Sequence, residues 1–189
     1  MDWAVESTGD STVTLALRPS DYSKAMWDKE FECLFTVTVT DSSLDTKMVV
    51  KNLGSESFDF QAALHSYFDI SKISDISIGG SFSGSTFLNK MLDPPADETE
   101  TRSEVVISEE YDRVYKGVND PVLKDSGKGK ALKIANSGGW KDTVLWSPYG
   151  NEGMGYETFV CVESVAFDSV PLAGGETWEA DLSLVPETL

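Results

Sequence analysis

Phe35-Thr36-Val37-Thr38-Val39-Thr40 alternates without a break between an apolar side chain and a threonine. Successive side chains of an extended backbone point to opposite faces, so a period of two describes a strand with one dry and one wet face. Val and Thr, stiff at χ1, favour that backbone. The same pattern recurs outward in both directions. Short runs rich in Val, Thr, Ile and Phe stand at Thr12–Leu17, Phe31–Thr40, Lys47–Asn52, Phe58–Phe68, Ala131–Asn136, Asp142–Ser147, Phe159–Val165 and Trp178–Val185, separated by Gly, Asp, Ser and Asn clusters. No long stretch keeps a helical period, and Asp21–Trp27 has room for a single turn. The pattern predicts an all-β fold, an antiparallel sandwich with long loops. Composition marks two of those loops: Asp93–Ser103, with two prolines among acidic residues and threonines, and Asp125–Lys130, rich in Lys and Gly. Gly79-Gly80 and Gly174-Gly175 fall at strand ends and read as turns. With no internal repeat and no linker, residues 1–189 are expected to form one domain.

Hydrophobic residues make up 40% of the chain, enough to build a packed core and to exclude wholesale disorder. Lys and Arg number 15 against 32 Asp and Glu, a formal net charge of -17. So acidic a surface repels nucleic-acid phosphates and anionic lipid, and neither is an expected partner. A phosphate-bearing small ligand would need a local cationic pocket within this negative field. No apolar run approaches the roughly 18 residues of a membrane helix, and Met1-Asp2-Trp3 does not open a signal peptide. Cys33 and Cys161 lie far apart in apolar runs and read as buried thiols, not as a disulfide framework or a zinc pair. Those features favour a soluble protein of a reducing compartment, cytoplasm or plastid stroma.

Three residues stand out as carriers of chemistry. His65, the only histidine, sits in Ala63-Leu64-His65-Ser66-Tyr67-Phe68 at the end of an alternating run. A lone histidine is as a rule a structural hydrogen-bonding group; projecting from a strand end it also suits an acid. Glu163 lies within Phe159-Val160-Cys161-Val162-Glu163-Ser164-Val165. Either it faces solvent, or it occupies a partly desolvated pocket that raises its basicity. Period-two counting places it on the face of Cys161 and Phe159, which favours the pocket. Asp112, in Glu110-Tyr111-Asp112-Arg113-Val114-Tyr115, is either half of a surface pair with Arg113 or an acceptor for sugar hydroxyls. Tyr67, Tyr111, Tyr115, Trp140, Trp146 and Tyr149 supply either core or a stacking wall for a pyranose. One histidine and no cysteine pair exclude the common zinc hydrolases. A Gly-x-Ser-x-Gly elbow, a phosphate-binding glycine loop and a dinucleotide fingerprint are all lacking.

Taken in order, these segments resemble the glucose-6-phosphate 1-epimerase branch of the aldose 1-epimerase family. His65-Ser66-Tyr67-Phe68 resembles its His-Thr/Ser-Tyr-Phe strand, and Asp112-Arg113-Val114-Tyr115 its Asp-Arg-Val/Ile-Tyr segment. Asp142-Thr143-Val144-Leu145-Trp146-Ser147-Pro148 resembles Asp-Thr-Val-Val-Trp-Asn-Pro, and Val160-Cys161-Val162-Glu163 the Cys-Val/Ile-Glu strand. Pro171-Leu172 with Gly175-Glu176-Thr177-Trp178 resembles the closing turn and strand. The resemblance implies a galactose-mutarotase-like antiparallel β-sandwich, or supersandwich, and a reaction that interconverts the α and β anomers of a hexose phosphate or other sugar. His65 would be the acid, Glu163 the base on the other side of the anomeric centre, and Asp112 the residue that binds sugar hydroxyls. The reaction would require no metal, cofactor or covalent intermediate.

The chain also departs from that pattern. Trp140-Lys141 replaces the Leu-Pro before Asp-Thr, and Ser147 the Asn before Pro148. The family's His-Gly-Phe-Ala-Arg segment and an earlier phosphate-binding arginine are not found, so the resemblance implies the C-terminal two-thirds of the family domain. Two expectations follow: sheet edges and apolar faces such as that of Phe35, Val37 and Val39 left open for a partner or oligomer, and impaired turnover in this chain alone. The alternative is a catalytically silent epimerase-like module, a sugar-binding or structural subunit of a larger assembly.

Overall fold

The computed structural model describes residues 1–189 and consists of two antiparallel sheets. The larger has nine strands in the order β1 (Ala4–Thr8), β2 (Thr12–Leu17), β3 (Phe31–Val39), β4 (Leu44–Asn52), β16 (Thr177–Thr188), β13 (Lys130–Gly138), β12 (Val122–Asp125), β7 (Ile76–Gly79) and β10 (Glu104–Val105). The smaller runs β5 (Phe58–Leu64), β15 (Phe159–Leu172), β14 (Asp142–Ser147), β11 (Tyr111–Tyr115), β8 (Thr86–Asn89) and β9 (Ala96–Thr99), with β6 (Tyr67–Asp69) also paired to β15. The single turn of α1 (Asp21–Lys24) is capped by Ser20, whose hydroxyl accepts from the Ser23 amide. The fold is the all-β sandwich that the alternation predicts.

Between the sheets lies a core that includes Ile78, Phe82, Tyr111, Tyr115, Trp140, Leu145, Val160 and Val162, each essentially buried. Strand period decides who joins it. On β15, Val160, Val162 and Ser164 face inward, whereas Cys161, Glu163 and Val165 face the outer side of the smaller sheet. The Asp142-Thr143 segment is a structural pin. Asp142 accepts the Gly117 and Phe167 amides at 2.9 and 3.3 Å, and the Thr143 hydroxyl donates to the Val118 carbonyl at 2.7 Å. Glu176 closes the β15–β16 turn by accepting the Ala173 amide at 2.7 Å, and Gly175 there has φ 81°, a left-handed conformation in which a Cβ is costly.

Three sequence readings are corrected. The Pro-rich stretch at Asp93–Ser103 contains a strand, β9, which pairs only with β8 at the sheet edge. All four of its residues are exposed, so no buried face imposes an alternation. The run Phe58–Phe68 is two strands, broken at His65-Ser66. The strand at Phe159 continues to Leu172, through a register shift between Ala166 and Val170 where Asp168 and Ser169 interrupt the apolar pattern.

The larger sheet extends beyond the smaller at its β1–β4 end. There Val5, Val39 and Leu44 are exposed, and Phe35 and Val37 only half-buried. Phe58 and Leu172 cover Phe31, Cys33 and Val50. Beside that cluster Leu17, Met26, Trp27, Met48 and Phe60 line an open apolar groove of about 280 Å³. The partly uncovered face expected from the sequence is therefore present.

Candidate active site

The residues that sequence singles out lie on the outer face of the smaller sheet, and pairing explains why. β5 and β6 run in line along β15, with Leu64 opposite Ser164 and Tyr67 opposite Cys161. Continuing that register sets His65 opposite Glu163, in the gap between the two strands. Directly opposed residues of an antiparallel pair share a face. On the other side, Cys161 pairs with Trp146 and Trp146 with Asp112. Cross-strand register thus lays Asp112, Trp146, Cys161 and Tyr67 in one row, with Val114, Val144, Glu163 and His65 in the next.

All of these but Tyr67 and Cys161 line a cleft of about 430 Å³, whose floor includes the packed Val114, Val144 and Val165. His65 stacks on Tyr67 at 4.8 Å between ring centroids, nearly parallel, and meets the Trp146 ring edge-on at 6.0 Å. Its Nε2 stands 3.4 Å from Glu163 Oε1. Glu163 is only 7% exposed, whereas the imidazole is half-exposed. Burial pushes the Glu163 carboxyl above the ordinary value of 4.5; His65 and Lys90 pull it down and Asp112 pushes it up, and the net direction is upward. The result is a carboxylate of enhanced basicity beside an accessible imidazole.

Asp112 lines the same cleft, so His65, Asp112 and Glu163 do converge. Its charged partner is not Arg113, whose side chain turns to the other face, stacks on Tyr111 at 4.0 Å and donates to the Tyr111 hydroxyl. Instead the Lys90 ammonium donates to both Asp112 oxygens at 3.0 and 2.8 Å. Lys90 escaped sequence reasoning because it follows a short strand with no distinguishing pattern; only the β8–β11 pairing brings it here. Of the aromatic candidates, Trp146 borders the cleft and Tyr67 flanks it. Tyr111, Tyr115 and Trp140 are buried in the core, and Tyr149 packs on Tyr156.

One trio of potential metal ligands exists: donor atoms of His65, Cys161 and Glu163 lie within 4.8 Å of one another. Ligands of a tetrahedral zinc sit roughly 3.3–3.8 Å apart, so this spread is loose. Burial also pushes the Cys161 thiol up to about 12, against the deprotonation a metal requires. The arrangement suits proton transfer better than coordination.

Two antiparallel sheets, with a His–Glu pair on the outer face of one, make up a galactose-mutarotase-like β-sandwich. A solved structure described as a "putative mutarotase" from Salmonella typhimurium superposes with a TM-score of 0.86 at 21% identity, covering 99% of this chain and 65% of that one. A galactose mutarotase-like protein from Lactobacillus casei gives 0.84 at 15% identity, covering 98% and 73%. The family profile of the aldose 1-epimerases matches residues 1–185, and the chain belongs to that family. A relative from Cenchrus ciliaris named "Putative glucose-6-phosphate 1-epimerase" is 26% identical over 184 residues, covering 91% of this chain. The chain spans 55% of that relative's length.

Proposed function

We propose that the cleft interconverts the α and β anomers of a hexose 6-phosphate by acid–base opening and reclosure of the pyranose ring. The observation that carries this reading is the 3.4 Å approach of His65 Nε2 to a buried, basic Glu163 carboxylate. Family membership and the name of the Cenchrus ciliaris relative support the reaction and the substrate.

The geometry suggests a revision of where acid and base stand. The two groups lie 3.4 Å apart on one sheet face, and in this reading both act from the same side of the anomeric centre. That suits a substrate whose two reacting oxygens, O1 and the ring O5, are bonded to the same carbon. Ionised Glu163 takes the O1 proton while protonated His65 delivers one to O5. The C1–O1 bond becomes a carbonyl as the C1–O5 bond breaks, and the electron pair released on O5 captures the imidazolium proton. Rotation about C1–C2 presents the other carbonyl face. Neutral His65 then withdraws the O5 proton as the protonated Glu163 returns one to O1, which restores both residues. Asp112 accepts hydrogen bonds from ring hydroxyls and fixes the sugar over the pair.

A second reading, a catalytically silent sugar-binding or structural subunit, is favoured by the uncovered apolar groove around Trp27 and Phe60. Polarimetry on freshly dissolved α-glucose 6-phosphate separates the two. Relaxation faster than in buffer, with the Glu163→Gln variant slower by roughly 10²–10⁴-fold in the catalysed part, supports epimerase chemistry. Relaxation at the buffer rate supports the silent module.

A further inference from the structure

We infer that Lys90 is an anion subsite within the cleft, the seat of the phosphate monoester of a sugar phosphate; this rests on the reading of the cleft as a sugar site. The protein carries a net charge of -17, so an anionic substrate is repelled everywhere except where a cation is exposed. Lys90 is the only lysine or arginine that lines the cleft.

Its position is held from both ends. The Lys90 amide donates to the Asp112 carbonyl at 2.9 Å, and β8 pairs with β11 one residue earlier, at Asn89 opposite Arg113. Continuing that register sets Lys90 opposite Asp112 and on its face of the sheet. The ammonium then donates to both Asp112 oxygens. An ammonium has three donors, and with two engaged one remains for a ligand. The side chain is 44% exposed, so that donor is accessible.

Spacing fits a phosphate at this end. β8 lies three strands from β15 in the smaller sheet, about 14 Å at the usual inter-strand separation. A hexose whose anomeric carbon meets Glu163 and His65 crosses part of that span, and its phosphate together with the long lysine stem closes the rest. Asp112 between them is left to accept sugar hydroxyls while its charge remains balanced. Lys90 therefore does more than neutralise Asp112: it sets a preference for phosphorylated over neutral sugars.

Titration of the ¹⁵N-labelled chain with glucose 6-phosphate and, separately, with glucose tests this, using the wild type, Lys90→Met and Lys90→Arg. A half-exposed lysine can be replaced without disturbing the core, and retained amide dispersion verifies folding. The wild type should bind glucose 6-phosphate roughly ten- to a hundredfold more tightly than glucose, the increment of a charged hydrogen bond. Lys90→Met should erase that preference, and Lys90→Arg should keep most of it. A Lys90→Met variant that retains the preference, or that weakens both sugars by the same factor as a mere clamp on Asp112 would, overturns the inference. So does a wild type that binds the two sugars alike, which leaves the sugar site itself standing. Cleft resonances that respond to neither sugar overturn the underlying reading along with the inference.

Discussion

Glu100→Gln removes a buried charge on which five hydrogen bonds converge. Its Oε1 accepts the Thr101 and Arg102 amides, each at 3.0 Å, and Arg102 Nε at 2.8 Å. Its Oε2 accepts a second Arg102 nitrogen at 2.7 Å and the Tyr115 hydroxyl at 3.0 Å. Arg102 and Arg113 both donate to the Tyr111 hydroxyl, so the network grips the inner side of β11, whose outer side carries Asp112. Burial alone would raise the Glu100 carboxyl, but these donors outweigh it and hold the group at about 2 against an ordinary 4.5. That difference is worth about 3 kcal/mol at neutral pH. Gln keeps one acceptor oxygen, and Arg102, with 37% of its side chain exposed, can rehydrate. The expected loss is therefore about 2–3 kcal/mol, short of the ~3–5 kcal/mol for stranding a fully buried partner. Because the folded-state value is depressed, the stabilisation is complete above 4.5 and disappears as pH falls towards 2. Urea unfolding followed by tryptophan fluorescence, from pH 7 downward, should show the wild-type advantage shrinking through that window. A variant within about 0.5 kcal/mol of wild type at pH 7, or a gap that does not narrow in acid, would refute the reasoning.

Burial raises the Cys33 thiol to about 11 and Cys161 to about 12, so a thiol-specific disulfide reagent should leave both unreacted in the native chain and titrate both in denaturant; rapid native labelling of either contradicts that placement. The groove around Trp27 and Phe60 should bind a hydrophobic dye such as ANS, and Trp27→Lys should remove most of the signal; dye fluorescence equal to buffer means the face is covered. The catalysed exchange rate should fall in acid with a midpoint above 4.5, since burial raises the Glu163 carboxyl and its base form is lost early on acidification. A midpoint at or below the ordinary carboxylate value removes Glu163 from the base role.

The sequence was most informative where one face of a strand is buried and the other wet. Asp142–Ser147 was legible to the residue, and Phe31–Thr40 ends one residue early, at Val39. The same counting put Glu163 on the Cys161 face, where it lies. Where no buried face exists, alternation has no cause: β1 and β9 are exposed along their whole length and left no mark. The site was legible in part. His65, Asp112 and Glu163 were found through their flanking motifs, but Lys90 was not, because its place depends on a pairing between two short strands. Aromatic residue type alone cannot separate core from cleft, which is why Tyr111, Tyr115 and Trp140 joined the candidate wall.

The central claim is that His65 and Glu163 act together as one proton-transfer unit at the anomeric centre. Saturation-transfer NMR between the α and β anomers of glucose 6-phosphate, at high chain concentration, measures it directly in wild type, Glu163→Gln, His65→Asn and the double variant. Residues that act as a unit are non-additive, since either loss stops the transfer. The account predicts a small but measurable exchange above the spontaneous rate, reduced to buffer level by each single substitution and no further by both. Exchange in wild type no faster than in buffer, or exchange that survives both substitutions, contradicts it.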